Sequence, residues 1–156
     1  MNMKILKFIA LLLILAGSLA SCKDKADNSG DTLIEIPLKK YSLEEASCQW
    51  TNLNYNASVI IVNSVEELNK YVICTAGSYP AIDFSKYTLL LTGGGTTNGV
   101  SNIDAVFTQV AVNQYSLKVT IHLNLTTVAQ GWSISVLTPK IAGKSTITST
   151  IQQTFN

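Results

Sequence analysis

The chain has 156 residues, 47% of them hydrophobic and 13% charged, with a formal net charge of +1. That length fits one domain with a real core, and the apolar fraction excludes intrinsic disorder. All eleven basic residues are Lys, none is Arg, and a chain this near neutrality lacks the basic excess of a nucleic-acid binder.

The first segment reads as an address. Lys4 and Lys7 precede an unbroken apolar run from Phe8 to Leu15. A helix crossing a hydrocarbon layer of about 30 Å needs roughly 20 apolar residues, so this run is too short to span and fits a secretory signal. The segment ends Leu19-Ala20-Ser21-Cys22. These four residues resemble the lipobox of bacterial lipoproteins. The resemblance implies that residues 1–21 are removed and that Cys22 carries lipid on its sulfur and an acyl chain on its amine. Two or three chains anchor stably where one binds marginally. The expected partner is therefore a lipid bilayer, and the expected location is the cell envelope, at the outer membrane, facing the periplasm or the surface. An ordinary signal peptide with a chance Cys is the alternative.

Residues 22–32 are polar and carry few apolar groups, which predicts a flexible tether. Lys23 and the acidic residues after it resemble the surface-export signals of Bacteroidota lipoproteins. Asp31-Thr32-Leu33 is similar to the Asp-Thr-apolar O-glycosylation pattern of that phylum, which makes Thr32 a candidate acceptor; a plain tether is the competing reading.

Residues 33–156 are expected to form a single globular domain. Leu33 to Leu38 alternates loosely, and Pro37 suits an edge strand. Ala57 to Val62 is a short β-branched run that predicts a buried strand. Ser64 with Glu67 three residues later is a capping-box pattern, and Val65, Leu68, Tyr71 and Val72 lie at helical spacing. One amphipathic helix ending near Cys74 is predicted. Tyr87 to Leu91 reads as a buried strand, followed by a glycine loop from Thr92 to Gly99. Ile103 to Val112 reads as a strand with a shifted pattern, which predicts a bulge before a turn at Asn113-Gln114. Leu117, Val119, Ile121, Leu123 and Leu125 alternate with Lys118, Thr120, His122 and Asn124, as in an antiparallel strand with one wet face. Trp132 to Leu137 and Thr146 to Ile151 read as a closing pair of strands. The expected fold class is α+β, mostly β: an antiparallel sheet of about seven short strands with one short helix packed on it.

Several of these stretches carry a resemblance. Val62-Asn63-Ser64, Glu66-Glu67-Leu68, Tyr79 to Tyr87 and Leu89-Leu90-Leu91 are similar to segments of small Bacteroidota lipoproteins, a likeness covering most of the mature chain. More distantly, the strand, glycine loop and hairpins resemble the C-terminal domain of protease-complex-stabilising (PrcB-type) proteins, which implies a noncatalytic accessory role. Their loop has a Gly pair followed by an aromatic residue; here Val100 follows Gly99.

Chemistry is sparse. Cys48 and Cys74 are an even pair in an exported chain, so a disulfide closing a loop of about 26 residues is expected, with two buried free thiols as the alternative. One His and no Cys cluster give no metal site, and no cofactor is expected. The glycine run lacks the Gly-Lys-Ser/Thr end of a P-loop. It is either a tight connection or the rim of a ligand site formed by Gly93, Gly94, Gly95 and Asn98. Trp50 and Trp132 are each core residues or stacking platforms for such a ligand. His122 sits on a polar strand face with no orienting acid near it in sequence. Asp83 and Asp104 are the one carboxylate pair considered for hydrolysis. Asn56 and Asn124 head sequons of no expected consequence. The reading is a noncatalytic, membrane-anchored envelope lipoprotein that binds or supports another protein. A glycan- or small-ligand-binding module is the alternative, and a hydrolase the third.

Overall fold

The computed structural model describes residues 33–53 and 58–155. The signal segment 1–21, the lipid attachment at Cys22, the 22–32 tether with Thr32, and the Asn56 sequon lie outside the described residues.

Ten strands and one helical turn follow in chain order: β1 (Ile34–Ile36), β2 (Lys39–Lys40), β3 (Cys48–Trp50), β4 (Ile60–Val62), α1 (Val65–Leu68), β5 (Val72–Cys74), β6 (Tyr87–Thr96), β7 (Val100–Ala111), β8 (Gln114–Leu123), β9 (Gln130–Pro139) and β10 (Thr146–Phe155). They form a front sheet in the order β1-β7-β8-β10, a central sheet β2-β9-β6-β4, and a ribbon β3-β5. The class is mostly β with a very small helix, spread over three sheets rather than one, and with ten strands rather than seven.

The front and central sheets pack face to face. Leu117, Val119, Ile121 and Leu123 of β8 meet Leu90 of β6 and Trp132 and Val136 of β9 in one core. The strict alternation of β8 makes this possible, because alternate side chains leave opposite faces of a strand. Leu125 falls past the end of β8 and is 83% exposed, so the alternation stops one pair earlier than the sequence suggests. The back of the central sheet is covered too: Leu89 packs with Val62, Leu68, Val72, Tyr41 and Leu43. Leu89, Leu90 and Leu91 are all buried because both faces of β6 are covered, which is why this strand reads as a continuous apolar run.

The helix is one turn long. Ser64 Oγ accepts from the Glu67 N–H at 3.1 Å, while the Glu67 carboxylate accepts from the Asn63 N–H at 2.6 Å, one residue before the cap. The expected continuation to Cys74 does not form. Val72 and Ile73 are β-branched and pair with β3 instead, as strand β5. Val65 is correspondingly half exposed, and Leu68 is the helix residue that enters the core.

The expected glycine loop is also strand. Gly93, Gly94 and Gly95 continue β6 and pair with Ser133, Trp132 and Gly131 of β9. A Cβ on Gly94 would lie 2.7 Å from the Trp132 ring, so the glycine is what lets the indole lie across the neighbouring strand. The connection to β7 shrinks to Thr97-Asn98-Gly99.

β7 carries the expected irregularity, with register shifts between Val100 and Asn102 and between Gln109 and Ala111. Asn113 makes the turn to β8 with φ of 58°. The strands expected to close the fold as a pair do not pair with each other. β9 joins the central sheet, whereas β10 runs parallel to β8 in the front sheet, from Thr146 beside Gln114 to Phe155 beside Leu123. A chain that leaves β8, crosses the other sheet as β9 and returns must lie parallel to β8, which local pattern does not show.

Candidate functional site

The two packed sheets leave a mouth on one side. In the front sheet β1 pairs with β7 only from Phe107 to Gln109, and among the described residues no strand continues along β7 from Asn102 to Val106. In the central sheet β2 pairs with β9 only at Val136 and Leu137. The ends of these two strands therefore border an open groove of about 760 Å³, closed below by the segment from Leu38 to Trp50.

That segment is firmly held. The Tyr41 N–H donates to the Ser135 carbonyl at 3.0 Å, and the Ser135 hydroxyl donates back to the Tyr41 carbonyl at 2.5 Å. The Tyr41 phenol donates to the Pro80 carbonyl at 2.7 Å. Burial, aided by the neighbouring Tyr79, pushes the Tyr41 pKa up to about 12, so the phenol stays a donor. Trp50 lies 6.0 Å from Tyr41 between ring centres, tilted by 54°, and its half-buried indole lines the groove.

Beside this edge, the outer face of the front sheet carries a cluster of polar side chains. Asp104 accepts from the Asn102 amide at 3.1 Å through one oxygen and lies 2.8 Å from His122 Nε2 through the other. His122 Nδ1 is 3.4 Å from the Thr154 hydroxyl. His122 thus has an acid beside it in space, although that acid is 18 positions away in sequence. The two residues stand on adjacent strands on either side of the Asn113 turn, so hairpin counting from that turn was the signal that could have found the pair. Gln49, Ser133 and Ser135 add polar groups to the groove and were not anticipated, because a space between two sheets leaves no local sequence pattern.

The remaining candidates are placed elsewhere. Trp132 is 5% exposed and packs between the sheets, so it offers no stacking face. Its Nε1 has no hydrogen-bond partner among the described residues, nor have the buried hydroxyls of Thr92 and Thr138 on the same face of the central sheet. Gly93, Gly94 and Gly95 do not line the groove, and the Asn98 carbonyl accepts from the Thr96 hydroxyl inside its own turn. The glycine rim proposed for a ligand is therefore replaced by the strand end around Asn102. Asp83 accepts from the Ser85 hydroxyl at 2.5 Å and pairs with Lys86 at 3.1 Å; these contacts, Ser85 first, hold its carboxyl below the usual range. Asp83 is engaged in its own turn and does not line the groove, whereas Asp104 contacts His122.

Cys48 and Cys74 face each other across β3 and β5, with Cα atoms 3.9 Å apart, and are joined as a disulfide. The bridge fixes the ribbon that presents Trp50, two residues further along β3. Among the described residues no three His, Cys, Asp or Glu side chains converge to hold a metal ion. Comparison with family models, curated proteins and solved structures finds no match for this chain.

Proposed function

We propose that this protein is a noncatalytic binding module of the cell envelope, anchored by lipid on Cys22, and that its partner enters the groove between the β7 and β9 strand ends. The observation that carries the reading is the groove itself: the half-buried Trp50 and the β7 edge from Asn102 to Ala105, which has no neighbouring strand on its outer side among the described residues, line one space. Unpaired strand edges take up extended polypeptide by main-chain hydrogen bonding, and an adjacent aromatic supplies the apolar anchor. An extended segment of another envelope protein fits that chemistry.

A second reading is favoured by the composition of the walls. Trp50 with Gln49, Ser133 and Ser135 offers a stacking face beside polar groups, which suits a glycan.

The test uses the full chain in membranes, with Cys22→Ser and Trp50→Ala variants. Cys22→Ser is expected to move the protein to the soluble fraction. Trp50→Ala is expected to stay membrane-bound and lose cross-linked envelope partners. Partner recovery unchanged by Trp50→Ala would contradict the groove, and membrane retention of Cys22→Ser would contradict the anchor.

A further inference from the structure

The four outer strands of the two sheets are not treated alike. At the front sheet's first edge, β1 is three residues long, contains Glu35 and is followed by Pro37. β2 is two lysines. β4 is three residues long. Short length, charge and proline are the ordinary ways of preventing an edge from pairing with another chain. β10 has none of them. It is ten residues long, Thr-Ile-Thr-Ser-Thr-Ile-Gln-Gln-Thr-Phe, without a charge, a proline or a glycine. Its register with β8 runs unbroken from Thr146 to Phe155, so no bulge twists it away. Among the described residues no strand lies on its other side.

We infer that β10 is the interface with a second copy of this chain, joined edge to edge as antiparallel strands about a two-fold axis. A two-fold contact sets a surface against itself, so any charge on the strand would meet a like charge. In the register centred on Thr150, Thr148 faces Gln152, Thr146 faces Thr154, Ser149 faces Ile151 and Ile147 faces Gln153, and no pair brings two charges together. Threonine pairs of this kind stabilise facing strands through their hydroxyls. Ile147 and Ile151 already pack against the core of their own domain, which holds the strand in place. The two front sheets then form one continuous sheet of eight strands. The groove lies at the opposite edge of the front sheet, beside β7, and stays open in the pair.

The test places Thr150→Cys in the full chain, in its own envelope, and applies a mild oxidant. Facing residues across such a pair have Cα atoms about 4.5–5.5 Å apart, within the range a disulfide spans. A cross-linked dimer absent from the parent chain is expected, and Lys118→Cys, on the exposed face of β8, is expected to give none. Adding Thr148→Lys and Gln152→Lys sets like charges opposite one another and should lower the cross-link about tenfold. Both side chains are exposed, so the fold is retained. Mixing that variant with one carrying Thr148→Glu and Gln152→Glu should restore the dimer. No dimer from Thr150→Cys, an equal yield from Lys118→Cys, an undiminished yield from the lysine variant, or no recovery on mixing would overturn the proposal.

Discussion

At the residue scale, two contacts fix the packing around the central sheet: Gly94 against Trp132, and Tyr41 against Ser135 and Pro80. Gly94 is glycine because the Trp132 indole occupies the place of its side chain, whereas a Cβ on Gly95 meets nothing within 4 Å. Gly94→Ala should therefore destabilise by about 1–3 kcal/mol through overpacking. Gly95→Ala should stay within about 1 kcal/mol of the parent. Urea unfolding of the two variants checks the contrast; equal losses would count against the packing argument. Tyr41 supplies a pH signature. Its folded pKa of about 12 lies above the ordinary tyrosine value of about 10, because burial, and then Tyr79, disfavour the phenolate. A raised pKa contributes stability in full below about pH 10 and loses it as pH climbs through about 12. Tyr41→Phe should be less stable than the parent at neutral pH and should lose less on going from pH 10 to 12, as read from unfolding at each pH. The glycines illustrate what the sequence conceals. Three in a row look like a loop, and only the facing Trp132, 38 positions along, turns them into strand.

At the element scale, legibility follows how local the cause is. β8 was readable to within two or three residues at each end, because its alternation is written into consecutive positions. The bulged β7 and the Asn113 turn were readable for the same reason. The helix was overextended because Val72 satisfies both a helical spacing and a strand, and pairing with β3 decides between them. The partners of β9 and β10 were not readable, since a strand pattern says which face is buried and not which neighbour lies alongside. The ribbon β3-β5 is the element most open to test. It buries little: Cys48, Trp50 and Cys74 are only partly covered, and Ile73 is 52% exposed. A bridge across about 26 residues contributes about 3 kcal/mol in the loop-entropy model. The double variant Cys48→Ala, Cys74→Ala should lose stability on that order and bind partner less well, because Trp50 loses its support. Denaturant unfolding measures the first effect. A loss under about 0.5 kcal/mol would place the bridge outside the ribbon's stability.

At the scale of the whole molecule, three layers are stacked so that the central sheet is buried on both faces and the front sheet on one. Among the described residues, that arrangement leaves the strand ends of β7 and β9 without a neighbouring strand on one side and β10 without one on the other. Little of it was visible beforehand. Composition and the amino-terminal segment point to an exported, anchored domain without evident catalytic groups. The groove arises from where two sheets stop short of each other, and such a space has no signature in either strand. Of the residues considered for binding, Trp50 lines it, Trp132 and the three glycines do not, and the β7 edge at Asp104 borders it while the Asp104 carboxylate turns to His122 on the outer face. The most direct measurement places a photo-activatable side chain at Gln49 in the membrane-anchored chain, with Lys118 as the control position on the far face of the front sheet. The account predicts that light captures an envelope partner from position 49 and not from position 118, and that Trp50→Ala abolishes the capture. Capture from both positions alike, or from position 118 alone, would contradict it.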